Sequence, residues 1–176
     1  MVESTQLNTR ASGPPVRREA EAARSQFLTF SLGAEVLAMD IRLVKEILQY
    51  SGITEVPLTP PDIRGVINLR GAVVPVVDLA VRFGRPVMPA DKKTCIVILE
   101  VGEEGAASVI GVMVDHVSEV IELGLGDIEP PPTFGNTLRA DFVRGVGKIG
   151  GKFVLILAMD RILALEELAK DAESGA

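Results

Sequence analysis

The sequence predicts a mainly β fold, built as two small β-barrels side by side with about five strands each. Two observations carry that expectation. Apolar runs of strand length recur along the chain, each broken by glycine or proline turns. The order of signals in the first half also returns in the second: a strand ending in Asp40 or Asp115, then Val-Lys-Glu-Ile or Val-Ser-Glu-Val, a proline loop, Arg-Gly-Val and a hydrophobic strand. A compact body of about 150 residues buries roughly 68–70% of its unfolded surface, enough for a real core.

Taken in order, residues 1–25 are polar, lack the apolar centre of a secretion signal and read as a solvated tail. QFLTFSLG and EVLAMDI then form a hairpin, and Asp40 caps a short helical segment, IRLVKEIL. After the proline loop EVPLTPPD, the stretch RGVINLRGAVVPVVDL is a second hairpin, whose Pro75 places that strand at a sheet edge or a bulge. KKTCIVILE and SVIGVMVDHV, joined by VGEEGAA, make a third. VSEVIEL and GDIEPPPTFG repeat the helix and proline loop, DFVRGVGKIGGKFVLIL is a fourth hairpin, and Asp160 caps a closing helix, RILALEELAK. The boundaries expected are a first barrel over about 26–92, a second over about 93–158, a C-terminal helix at 160–170 and a short tail at 171–176.

Composition narrows the chemistry. A net charge of −6 over 176 residues, with a pI near 4.9, argues against a nucleic-acid backbone or an anionic membrane as the main partner. One cysteine, Cys95, excludes an internal disulfide framework, and with His116 as the one histidine no Cys/His zinc cluster can form. No stretch approaches the roughly 18 apolar residues of a membrane span, and the chain reads as cytoplasmic. GVGKIG, residues 145–150, matches a dinucleotide fingerprint, but that loop must open a helix and here the strand KFVLIL follows. Asp40, Asp78, Asp115 and Asp160 each close a strand and suit caps or turns better than a metal cluster. His116 reads as a polar rim residue and Cys95 as core. No catalytic residue, metal ligand or cofactor site is expected.

The repeat singles out one residue. RGVINLRG at 64–71 aligns with RGVGKIGG at 144–151, where the turn is Gly150-Gly151. Gly-Gly is what a two-residue hairpin turn asks of the backbone. Arg70 in the first copy therefore points to a contact with another molecule, against the plain alternative of an exposed charge of no consequence.

The residues that now stand out together are GAEVLAMDI with VKEI behind it, EVPLTPPDIRGVINLRGAVVPVVDL with Phe83 just after, IGVMVDHVSEVIEL, and VRGVGKIGGKFVLIL. From about Gln26 to Lys170 the chain resembles the CheW family of bacterial chemotaxis coupling proteins. The resemblance implies two five-stranded Src-homology-3-like barrels sharing a hydrophobic interface. It implies a non-catalytic adaptor between the cytoplasmic tips of transmembrane chemoreceptors and the regulatory domain of the histidine kinase CheA, with recruitment to membrane-associated receptor arrays. The receptor-binding positions it implies are Val44, Glu46, Ile47, Gly65, Asn68 and Arg70, and the kinase-binding position is Phe134. Plain readings stay open beside these: Val44 and Ile47 as core, Glu46 as a solvated charge on a helix, Phe134 folded onto its own barrel. The chain departs from the family pattern at Leu37, where an aromatic residue is common, and at Glu129, where the kinase-facing loop lacks a basic flank. Other readings are a coupling protein of a non-flagellar chemosensory pathway, a small nucleotide-binding enzyme using GVGKIG, and a nucleic-acid-binding barrel. The last is disfavoured by one Tyr and no Trp.

Overall fold

A computed structural model describes residues 24–87, 89–102, 105–131 and 140–163. It is mainly β. The strands are β1 (Ser25–Leu32), β2 (Glu35–Asp40), β3 (Val44–Gln49), β4 (Ile63–Leu69), β5 (Ala72–Asp78), β6 (Cys95–Val101), β7 (Ser108–Val114), β8 (His116–Leu123), β9 (Ile128–Glu129), β10 (Val143–Ile149) and β11 (Lys152–Leu157), with one-turn helices α1 (Leu79–Arg82) and α2 (Met159–Ile162). They form a six-stranded sheet ordered β8-β1-β2-β11-β10-β9 and a five-stranded sheet ordered β3-β6-β7-β5-β4.

The four expected hairpins are present: β1–β2, β4–β5, β6–β7 and β10–β11. The internal repeat is real, but its copies exchange strands. Hairpin β6–β7 of the second copy joins β3, β4 and β5 of the first, while β1–β2 of the first joins β8 to β11 of the second. Parallel pairings seal each exchange, β5 on β7 and β11 on β2. The sheets therefore do not divide at residue 92, as two consecutive barrels would.

Three helical expectations are corrected. IRLVKEIL is a 3₁₀ turn, Ile41–Leu43, followed by strand β3, and VSEVIEL is strand β8. Ile41, Val44, Leu48 and their neighbours fit a helical spacing as well as a strand, so pairing decides: β3 pairs five of its six residues with β6, with burial alternating residue by residue. The closing helix begins at Met159 with Ala158 at its N-cap, so Asp160 lies in the first turn and caps nothing. Residues beyond 163 lie outside the described ones, as do 1–23. Pro75 is not at an edge either. It sits on interior strand β5, just outside the parallel ladder to β7, which starts at Val76, so its missing N–H interrupts no pairing there.

Three apolar clusters hold these layers together. Alternation along β6 sends Val97, Leu99 and Val101 into a central cluster with Leu28, Phe30, Leu37 and Met39 of the other sheet, while Ile96 and Ile98 face away into a cluster with Val74 and Val76. A third cluster, around Phe27, Leu123 and Ile156, lies on the outer side of the six-stranded sheet. Each fully buried side chain of this size contributes about 1.5–3 kcal/mol of transfer free energy. Among the described residues no ladder joins the first and last strands of either sheet. The edges of the five-stranded sheet nevertheless face each other, because Leu48 of β3 and Ile67 and Leu69 of β4 pack on the same cluster.

Candidate interaction site

The tip of hairpin β4–β5 meets β3 at that facing edge. The two-residue turn Arg70-Gly71 has φ of +52° and +87°, and Gly150-Gly151 in the second copy has +54° and +79°. The two turns are the same turn, so Arg70 occupies a left-handed conformation that favours glycine. Asn68 explains part of how it does so: its side-chain Oδ1 accepts a hydrogen bond from the Gly71 N–H at 2.9 Å. Glu46 explains the rest. Arg70 Nη2 donates to Glu46 Oε2 at 2.7 Å, a link between hairpin tip and edge strand over 24 positions of sequence. That hydrogen bond, reinforced by the carboxylate charge, raises the Arg70 guanidinium above its ordinary pKa.

The pair is asymmetric. The Arg70 side chain is 75% exposed and Glu46 25%, and Glu46 Oε1 is buried with no hydrogen-bond partner among the described residues. The carboxylate thus fixes the arginine while the guanidinium remains open to solvent. Beside the pair lies a groove of about 690 Å³ with walls from Leu69, Val73, Val74, Pro75 and Ile98. An apolar groove with a forked cation at its lip suits recognition of a protein surface.

The other expected positions separate by face. Ile47 is 42% exposed and points outward with Lys45, which pairs with Glu100 at 3.4 Å. Val44 packs on the central cluster, in keeping with its plain reading as core. The register slips by one residue between Val44 and Glu46, which is how neighbours on one strand reach different clusters. Gly65 is buried, and a Cβ there would run into the carbonyl oxygen of Thr54. Its φ of +149° and lack of a side chain let Thr54 and Val66 exchange two backbone hydrogen bonds, of 2.9 and 2.8 Å. Gly145 does the same service beside Glu129. Phe134 lies outside the described residues. Val73 and Pro75, which line the groove, carried no functional signal in the sequence beyond their place in the alternation of β5.

The remaining candidates fall into structural roles. Asp78 accepts hydrogen bonds from Ala80 N–H and Val81 N–H, capping α1, and from Arg64 Nη1 at 2.8 Å. Asp40 caps the 3₁₀ turn through Arg42 N–H, and Asp115 Oδ2 accepts from Gly33 N–H in the β1–β2 turn. GVGKIG lies in β10 and its turn, and strand β11 follows where a nucleotide loop would open a helix.

The family model for the CheW-like domain matches residues 26–167. The chain belongs to the CheW-like domain family. Similar to this CheW-like chain are the chemotaxis protein CheW of Klebsiella aerogenes, 36% identical over 149 residues, covering 85% of this chain and 87% of that one, and protein FrzA of Myxococcus xanthus, 33% identical, covering 78% and 84%. The crystal structure of scaffolding protein TtCheW from Thermoanaerobacter tengcongensis superposes with a TM-score of 0.72 at 35% identity, covering 80% of this chain and 93% of that one. The CheW-like region thus spans the described elements from β1 through α2.

Proposed function

We propose that the chain is a non-catalytic adaptor that couples the cytoplasmic tips of transmembrane chemoreceptors to the histidine kinase CheA, with the receptor docking at the groove beside Arg70. The observation that carries this reading is the Glu46–Arg70 pair: an arginine held at a left-handed turn position, at the lip of an apolar groove, where the repeat uses glycine. Receptor contacts come from Glu46, Ile47 and Arg70. Asn68, Gly65 and Val44 act by shaping the turn, the strand crossing and the seat of β3. Phe134 is the kinase contact, behind the three prolines Pro130 to Pro132. Membership of the family and the scaffolding and chemotaxis names of its relatives support the adaptor role. No described helix is long and apolar enough to cross a membrane, in keeping with recruitment from the cytoplasm to receptor arrays. A second reading, a coupling protein of a non-flagellar chemosensory pathway, is supported by the similarity to protein FrzA.

Co-sedimentation tests the bridge: receptor fragments in vesicles bring down CheA only when the chain is added. Phe134→Ser is expected to lose the kinase while keeping the receptor, and to melt where the wild type does. A lower melting point, with unfolding free energy reduced by about 3–5 kcal/mol as for a truncated core phenylalanine, would instead make Phe134 part of its own domain.

A further inference from the structure

The internal repeat carries the first groove onto the other sheet. A cleft of about 740 Å³ opens there, lined by Val36, Glu119, Ile149, Lys152 and Phe153. By the repeat, Glu119 stands for Glu46, Ile149 for Leu69, Phe153 for Val73, and Gly150 for Arg70. Its apolar floor is as open to solvent as that of the first groove, with Phe153 64% and Val36 46% exposed beside 69% for Val73. The strand beneath is firmly held: buried Thr29 Oγ1 donates to the Glu119 carbonyl at 2.9 Å and accepts from the Glu119 N–H at 3.1 Å.

Charge distinguishes the two clefts. In the first, Arg70 answers the glutamate from within the chain. In the second, Gly150 offers nothing, and no cation among the described residues, Lys152 included, pairs with the Glu119 side chain. We propose that this cleft docks a basic amphipathic helix of a protein partner, whose apolar strip covers Phe153 and Val36 and whose lysine or arginine supplies to Glu119 the cation that Gly150 lacks. Helices seat in apolar grooves through such strips, with a flanking charge fixing their register. The net charge of −6 and the exposed Glu119 oppose an anionic lipid surface as the occupant. The two clefts lie on different sheets, so a helix here leaves the groove beside Arg70 uncovered.

The test uses the full chain, ¹⁵N-labelled and titrated with two amphipathic helical peptides of about 18 residues, alike in their leucine strip but bearing lysine or glutamate on the polar face. The lysine peptide is expected to shift the amides of Thr29, Val36, Glu119 and Phe153, and the glutamate peptide to leave them in place. Gly150→Arg, placed at a turn where Arg70 already adopts the same φ, answers Glu119 within the chain and is expected to weaken the lysine peptide about fivefold or more. Phe153→Ser is expected to weaken it similarly. Glu55→Gln, the same change in net charge at an exposed loop position, is expected to leave binding unchanged. Equal shifts with both peptides, shifts confined to Glu46 and Val73, or indifference to Gly150→Arg would overturn the proposal. A dimer of the free chain that Phe153→Ser dissolves, or capture of anionic vesicles that Phe153→Ser abolishes, would overturn it too.

Discussion

Arg70 takes a backbone conformation that its own repeat fills with glycine, and the ion pair to Glu46 is what the chain gains in return. Because the arginine is exposed and its turn is one that Gly150 makes equally well, Arg70→Gly is expected to melt within about 2 °C of the wild type, a shift that a calorimetric scan resolves. Gly65→Ala is the opposite case. Its Cβ has no room beside Thr54, and the backbone there is one that only glycine adopts freely, so a loss of about 2 kcal/mol or more is expected in urea unfolding. At Asp40, burial alone would raise the carboxyl, but hydrogen bonds from the Arg42 side chain and N–H, with the charges of Arg42 and Arg144, outweigh it and lower the pKa from 3.8. A carboxyl lowered in the folded state stabilises above its unfolded value and loses that contribution as pH falls through the folded one. Melting of Asp40→Asn should therefore lie below wild type at neutral pH, and the two curves should converge as pH drops below about 4.

At the scale of elements, hairpins and caps are what local chemistry decides. Asp78 shows it: one carboxylate caps α1 and accepts from Arg64, almost entirely buried. Asp78→Ala removes the cap and leaves the half-buried Arg64 without that partner, so a loss of about 2–4 kcal/mol is expected by chemical unfolding, with Asp78→Asn recovering part of it. Such features were legible in the sequence because they depend on residues close together in the chain: the four hairpins, the caps at Asp40 and Asp78, and the two-residue turns. VKEIL was not. Its apolar spacing fits a helix as well as a strand, and the choice is made by β6, about 50 residues further on. The same limit hid the Glu46–Arg70 pair. The repeat marked Arg70 as unusual, but nothing within reach of either residue in sequence announced that a strand edge and a hairpin tip would meet. Val73 and Pro75 read as ordinary strand residues until the groove gave them a face.

For the whole molecule, the exchange of strands between copies is the governing fact, and it too was invisible while each copy was read alone. Neither half owns a sheet, since hairpin β1–β2 is joined to its sheet only through β8 and β11, and β3 and hairpin β4–β5 are joined only through β6 and β7. A fragment ending at residue 92 is therefore expected to show no dispersed amide spectrum, and the full chain to unfold in one cooperative transition. Phe30, fully buried in the cluster both sheets share, should cost about 3–5 kcal/mol as alanine without separating that transition into two. One rigid body of this kind holds the Arg70 lip and the groove in fixed relation, which is what docking a receptor tip requires. The most direct measurement of that role is the affinity of a receptor cytoplasmic fragment for wild type, Arg70→Gly and Arg70→Asp, read alongside their melting. Affinity is expected to fall about tenfold or more for Arg70→Gly, and further for Arg70→Asp, with Arg70→Gly melting as the wild type does. Receptor affinity unchanged in Arg70→Asp would contradict docking at this groove.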